Sequence, residues 1–573
     1  MESAKPNPLA RWMPSLTDVA FLMPILFLFL GLDGAKTMLG DGDTGYHIRA
    51  GEWMLANGRV PDQDIFSFTK PGQPWFAWEW LWDVIFGWVH QHWGMAAVVV
   101  ANILVISVIC ALLYRLVRRK CGNVLLAIGV TGVAVAGSSI HWLARPHLFT
   151  LLFVVIFYST LERVREGRVR LLMALPVLTV LWTNLHAGFF VGISLICAYA
   201  LGELATWAVA PVAEERRAAL VRSRQYLVSA GACFLASFVN PYSYHLHLHI
   251  WQYLRDPYQL RNIMEFLSIS FQNPVARHLE VMAALAVLAA AWNLHQRQFV
   301  YTFLIAGWLH LALISARNIP IFMIVAAPPA ALATQELLAH LRETRVAGWV
   351  RKATRGLEDL GDEFGAMDRL ARFPIASLAA ALLLIALFHI PSDSPKLRAE
   401  YDPKSYPAKA LEALQAAGST RAIFTDDEWG DYLIYRLYPK SKVFVDGRSD
   451  FYGAAFCENF FDVLNGKHDW EKILERYGVQ TVLLHADASL SSTLKESKRW
   501  RVTYDDGLAI AFRRAARDQR VARAGDREGA QVSAAAGSGV FRDPQVTNPD
   551  NPEPGRLAKP ARLTNLDARR KPA

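Results

Sequence analysis

Asp41-Gly-Asp43-Thr-Gly-Tyr-His47 follows directly on the first long apolar run of the chain, which spans about 18–39. If that run crosses a bilayer, two carboxylates and an imidazole fall within seven residues at its edge. Carboxylates placed there stay ionised, can bind a cation, and can take a proton from an incoming nucleophile. Whether other polar groups reach the same side of the membrane depends on topology.

The chain has 573 residues, 53% of them hydrophobic, with 18 Trp. Apolar runs of spanning length recur at about 18–39, 95–114, 124–141, 147–162, 170–184, 188–210, 225–240, 279–295, 299–315, 319–338 and 373–390. They predict an all-α polytopic membrane protein of about eleven transmembrane helices. Asp33 and Lys36 interrupt the first run at a spacing that lets them pair on one helix face, and no A-x-A-like site precedes Asp41, so the run reads as an uncleaved anchor. The net charge of +9 is modest, and most Lys and Arg sit in short connections, where they read as topology signals and not as a nucleic-acid patch. The five Cys show no metal-ligand spacing and no disulfide framework.

Basic residues mark alternate connections. Arg115, Arg118, Arg119 and Lys120 follow the second run, and Arg163, Arg165, Arg168 and Arg170 the fourth. Further basic groups follow the sixth and tenth runs, at 216–224 and 342–355. The positive-inside rule makes these cytoplasmic, with the N-terminus inside and the segment after 391 outside. The outer side then holds the loop 40–94, the turn His141-Trp-Leu-Ala-Arg145-Pro-His147, the turn Asn184-Leu-His186, the loop 240–278 with Glu265, and Arg317-Asn318. Ionisable groups at membrane depth mark a site or a pathway by default, and here they gather on one face.

Several of these residues carry more than one reading. Asp41 and Asp43 can share a divalent cation such as Mg or Mn, either can act as a base, or Asp43 can cap the helix that the pattern places over 45–55. His47 can bond Asp43 or a phosphate oxygen, or lie at the interface. Arg145 and His147 flank Pro146; the guanidinium fork suits a lipid phosphate, and a snorkelling Arg at a helix end is the alternative. The Trp-rich run 75–93 suits a helix lying in the interface.

Residues 1–391 thus read as the membrane domain, and 392–514 as a small extracytoplasmic α/β domain. In the latter, strands are predicted at 421–424, 442–446, 480–484 and 508–512, and helices at 404–417 and 468–477. Asp446 and Arg448 read as an internal ion pair at a strand end. Residues 340–372 read as a charged inner loop with an amphipathic helix, and 515–573 as a disordered tail. No P-loop, dinucleotide fingerprint or G-x-S-x-G elbow is present, which leaves ATP-driven transport and serine-hydrolase chemistry unsupported.

The stretch DGDTGYHIRAGEWMLANGRVPDQD, residues 41–64, resembles the first outer loop of the lipid-dependent glycosyltransferases of the GT-C fold. That family includes the protein O-mannosyltransferases and the bacterial lipid A aminoarabinose transferases. Asp43 stands where the family has an acidic residue after the first span; Met54-Leu55, Gly58 and Pro61 follow in the family's order. LWTNLHAGFFVG, RNIP, WGDYL and VDGR are similar to a bacterial subgroup. Thr44 departs from the pattern, where many relatives carry a second acidic residue. The resemblance implies a polyprenyl-phosphate sugar donor, with lipid, protein or polysaccharide as acceptor, at the outer face of a bacterial inner membrane. It implies Asp43 as base, Asp41 as its assistant or a cation ligand, and Arg145 and Arg317 at the leaving phosphate. His47, His147, Asn184, His186 and Glu265 are further candidate ligands. A transporter or flippase of lipid-linked glycans, or a non-catalytic scaffold of envelope polysaccharide assembly, are the other readings of the same polar face.

Overall fold

A computed structural model describes residues 11–344, 347–371, 373–390 and 394–515. The expected tail 515–573 lies outside the described residues from 516 on. The first helix, Leu16–Leu26, starts on a reciprocal cap between Ser15 and Asp18, which satisfies the free N–H groups of its first turn. Each of the eleven apolar runs overlaps helix, with a break at 32–34 in the first and an end at Ala236 in the seventh. Six helices are long and apolar enough to cross a membrane: Trp80–Cys121, Val124–His141, His147–Arg165, Ala187–Val209, Ala276–His295 and Ala316–Glu343. Four apolar helices are shorter, at Leu16–Gly31, Val169–Leu185, Phe299–Ile314 and Ile375–His389. The run 225–240 begins inside a longer helix, Ala213–Ala236, whose first half is charged. A chain with this many apolar helices is a multi-pass membrane protein.

Polar groups inside the helical bundle are used as ties. Glu162 is fully buried and accepts hydrogen bonds from Tyr301 (2.8 Å), Tyr199 and Lys120. One carboxylate thereby joins residues of four helices, and each donor lowers the cost of burying its charge. The amphipathic helix expected in 340–372 is Gly348–Asp368; its last residue, Asp368, accepts from the Leu16 N–H (2.6 Å) and pairs with Arg118.

The loop 40–94, expected on the outer side and called the outer loop below, holds the helix Asp43–Asn57, closed by Gly58 at φ 64°. This helix crosses Trp80–Cys121 with backbones almost touching. A Cβ on Gly51 would overlap the carbonyl of Asp83, and one on Gly87 would overlap Gly51, so only glycine allows the crossing. The Trp-rich run departs from expectation. Helix begins only at Trp80 and continues past a break at Gly94 into the membrane segment. Trp75 and Trp82 are buried in the core, while Trp88 and Trp93 are exposed. The run is therefore a packing element with an exposed end, since its indoles fill the space between the outer loop and the bundle. Asp33 and Lys36 also do not pair; Lys36 reaches Asp402 instead, at 3.0 Å.

The C-terminal α/β segment carries a four-stranded sheet of order β1-β2-β4-β3, with β1 Ile423–Phe424, β2 Thr481–His485, β3 Trp500–Asp505 and β4 Ala509–Arg514. β1 pairs parallel with β2; the other two pairings are antiparallel. The strand expected at 442–446 is not one: Val443 makes isolated bridges to Ile423 and Ser67. Its backbone is spent on the outer loop, where Phe68 donates to Val443 and Val443 to Phe66, both at 3.0 Å. β3 was not anticipated, because its sequence is mostly polar and its residues are largely exposed. The helix Asp427–Leu437 lies against Asp43–Asn57, where Gly45 allows Tyr435 and the Asp431 carbonyl to approach.

Candidate functional site

A cavity of about 340 Å³ opens where the outer loop, the ends of several membrane helices and the C-terminal segment meet. Arg145 lines it. The turn that carries it is fixed to the loop by two hydrogen bonds, from Ala144 N–H to Met38 O (2.8 Å) and from Thr44 Oγ1 to Ala144 O (3.2 Å). Thr44, the departure from the family pattern, is thus a strut for this turn. One Arg145 nitrogen, Nη1, meets Asp41 Oδ2 at 2.7 Å, and Nη2 meets Asp43. Glu265 lies 3.5 Å from Nη1, and its other oxygen is 3.6 Å from Arg317. Arg317 is a third exposed and stacks on Phe266.

The helix start orders the two aspartates differently. Asp41 Oδ1 accepts the N–H of Asp43, the first residue of the helix (2.8 Å), so Asp41 braces the helix start and holds Arg145 without lining the cavity. Asp43 does line it. Burial raises Asp43 to about 7, against the pull of Arg145. Glu265 goes the other way: Arg145, His141 and Arg317 outweigh its burial and hold it at about 2. Arg145 itself stays firmly cationic, since three carboxylates outweigh its burial.

The C-terminal segment completes the site. Asp431 is buried, lies with Asp43 against the same face of Gly447, and accepts the Gly447 N–H at 3.0 Å. Burial, then the charge of Asp43, pushes Asp431 well above the usual carboxylate range. Arg448 is buried over Trp75, with Nε and Nη2 each 2.7 Å from Asp446 and Nη2 2.8 Å from Asp64. The expected Asp446–Arg448 pair is present, and through Asp64 it also clamps the C-terminal segment to the outer loop. A Cβ on Gly447 would overlap Asp43 Oδ1 and Asp431 Oδ2. Gly447→Ala is therefore expected to cost about 1–3 kcal/mol through overpacking and to displace Asp43. A lowered melting midpoint in nanodiscs checks this; wild-type melting would contradict the close approach.

The other expected ligands fall in different places. His47 lines the cavity with Nδ1 2.7 Å from Asp83 Oδ1, and burial keeps it from gaining a second proton. His147 lines it with Nε2 donating to the carbonyl of His141 at 2.7 Å. His186 lines it too, and burial lowers it to about 3. Asn184 does not line it. Its carbonyl accepts from Trp80 Nε1 (2.8 Å) and its amide donates to Val180 and Val239, so it ties helices together.

Three cavity groups were not singled out from sequence, Glu79, Asp83 and Asp450, nor was Asp431 as a neighbour of Asp43 behind the cavity wall. Glu79 and Asp83 are hidden among the tryptophans with no motif spacing. Burial raises Glu79 to about 8. The divalent cation suggested by Asp-x-Asp does not suit this arrangement: Arg145 already bridges the two carboxylates. Among the described residues, no group of three or more His, Cys, Asp or Glu is placed to hold a metal ion.

No family model matches the sequence, and no curated protein matches it. Solved structures do. The fold is similar to that of an archaeal oligosaccharyltransferase. The apo enzyme of Archaeoglobus fulgidus matches with a TM-score of 0.50 at 12% identity, covering 88% of this chain and 74% of that one. Oligosaccharyltransferase AglB of the same organism, in complex with an inhibitory peptide and a dolichol-phosphate, matches with a TM-score of 0.53 at 13% identity and the same coverage. These likenesses support the expected GT-C glycosyltransferase fold.

Proposed function

We propose that this protein transfers a sugar from a polyprenyl-phosphate donor to a hydroxyl acceptor at the outer face of a bacterial inner membrane. The observation that carries the reading is the contact of Asp43 with Arg145 at a cavity framed by membrane helices. A base and a fixed cation stand side by side there, as displacement of a phosphate requires. The shared fold supports it, because the neighbours are glycosyltransferases, one of them holding a dolichol-phosphate. The basic alternate connections support a cytoplasmic N-terminus and a 392–514 domain on the outer side. The bacterial subgroup and the acceptor class (lipid, protein or polysaccharide) follow the sequence resemblance.

In this reading the acceptor hydroxyl oxygen attacks the anomeric carbon. Its proton passes to a carboxylate oxygen of Asp43. The bond from the anomeric carbon to the phosphate oxygen breaks, and the lipid phosphate leaves with the electron pair. Arg145 and Arg317 stabilise the charge that develops on that oxygen, in a site already organised for it. Arg317, stacked on Phe266, 3.6 Å from Glu265 and open to the cavity, meets the phosphate first. As Arg145 turns to the phosphate, its contact with Asp43 loosens and frees the base. Asp41 stays on Arg145 and positions it. No step uses a metal ion.

A single displacement inverts the anomeric centre, so the product is expected to carry the opposite configuration to the donor, read by NMR. Retention would refute direct attack by an acceptor activated at Asp43. The raised Asp43 sets the pH dependence as well. Only the unprotonated carboxylate accepts a proton, so kcat/KM should rise with pH, level off above about 7, and fall about tenfold per unit below it. A flat profile between pH 5 and 8 would contradict the assignment.

A further inference from the structure

We infer that Glu79 and His186 form the subsite that grips two adjacent hydroxyls of the donor's pyranose ring, so that the site takes a neutral hexose with a free vicinal diol. This rests on the transferase reading above and names which groups recognise the sugar.

The other cavity carboxylates are occupied. Asp43 is held by Arg145, Glu265 by Arg145 and Arg317, Asp83 by His47, and Asp450 by His249 at 3.0 Å. Glu79 has no side-chain hydrogen bond among the described residues; its nearest partner is His186 Nε2, 3.6 Å from Oε1. Yet its side chain is only 13% exposed, and that exposure is to the cavity. A buried carboxyl with unused oxygens is costly, and a ligand that bonds it removes the cost. Glu79 stands just before the helix Trp80–Cys121, so the rigid helix start fixes its place.

His186 is prepared for the complementary role. Its Nδ1 receives two donors, the Gly188 N–H at 3.0 Å and the Thr150 hydroxyl at 2.8 Å. The Thr150 oxygen in turn accepts from Trp182 Nε1 at 3.0 Å, which directs the hydroxyl proton at the imidazole. With Nδ1 committed as acceptor, the ring proton sits on Nε2. That N–H faces the cavity beside Glu79. The pair thus offers one acceptor and one donor 3.6 Å apart. A vicinal diol meets that pattern: one hydroxyl donates to Glu79 while its neighbour accepts from His186. Trp78 and Tyr253, on the cavity wall with ring centroids 5.5 Å apart, supply apolar surface for the C–H face of the ring. Arg145 and Arg317 remain for the phosphate, so the cavity separates sugar recognition from charge neutralisation.

The test uses purified full-length protein in nanodiscs. Polyprenyl-phosphate glucose, mannose and galactose are screened for sugar release. The donor used best is then compared with its monodeoxy analogues, on wild type, Glu79→Ala and Glu79→Gln. With the parent donor, Glu79→Ala should raise KM about 10–100-fold, the loss of one or two such hydrogen bonds, with a smaller change in kcat. Glu79→Gln should recover most of it, because the amide oxygen still accepts. For one deoxy position the wild type should lose a similar factor, and Glu79→Ala should add nothing further. If Glu79→Ala lowers kcat/KM by the same factor for every donor, Glu79 acts through the fold and the subsite assignment is wrong. If wild type releases sugar from no donor, the transferase reading falls, and the subsite with it.

Discussion

Asp43→Asn is expected to lower sugar release from the lipid donor by about 10²–10⁴-fold, the usual share of a positioned base. The fold should survive. The amide is nearly isosteric, the backbone N–H of residue 43 still donates to Asp41, and Asp41 still holds Arg145 at 2.7 Å. The burial that raises Asp43 to about 7 also means that a neutral side chain costs little there. Melting should therefore match or exceed wild type while kcat collapses. An active Asp43→Asn enzyme would move the base elsewhere. Melting lost together with activity would make Asp43 a structural residue.

Arg145→Ala is expected to hurt both activity and stability. It removes the one cation that touches Asp41, Asp43 and Glu265 together. Breaking a buried charge network from one side typically costs about 3–5 kcal/mol, because the carboxylates are left unpaired. Loss of a fixed donor to the leaving group adds about 10²–10³-fold in kcat. Arg145→Lys separates the two effects. A lysine restores charge and part of the stability, but one ammonium cannot bridge Asp41 and Asp43 as the guanidinium fork does. Its melting should recover more than its kcat. Full recovery of kcat in Arg145→Lys would show that geometry at this residue does not matter.

What the sequence revealed follows from the range of the forces involved. Helices need local apolar runs, and each of the eleven runs overlaps helix, although only six of the described helices are long and apolar enough to span. Asp43, Arg145 and Glu265 were marked because charged groups at a membrane face stand out one by one. Their meeting was not legible: Arg145 is 104 residues from Asp41, and only the packed turn at Ala144 brings it there. The role of Asp431 was hidden for a similar reason. Its string was conspicuous, yet its contact with Asp43 depends on close approach at Gly447 and Gly45. Asn184 misled because a polar residue at a helix end serves a neighbouring indole as well as a ligand. Glu79 and Asp83 gave no signal among the tryptophans, although burial makes them the most consequential acids of that run. The strand expected at 442–446 failed because alternation marks an extended chain without saying what it pairs with, and here the outer loop is the partner.

The most direct measurement incubates purified wild-type protein in nanodiscs with a panel of radiolabelled polyprenyl-phosphate sugars and follows release of the label from lipid, with Asp43→Asn in parallel. Release by wild type and its loss in Asp43→Asn is the predicted result. Tight binding of a donor with no release under any condition would contradict glycosyl transfer and point to a protein that carries or organises lipid-linked sugars without breaking their bonds.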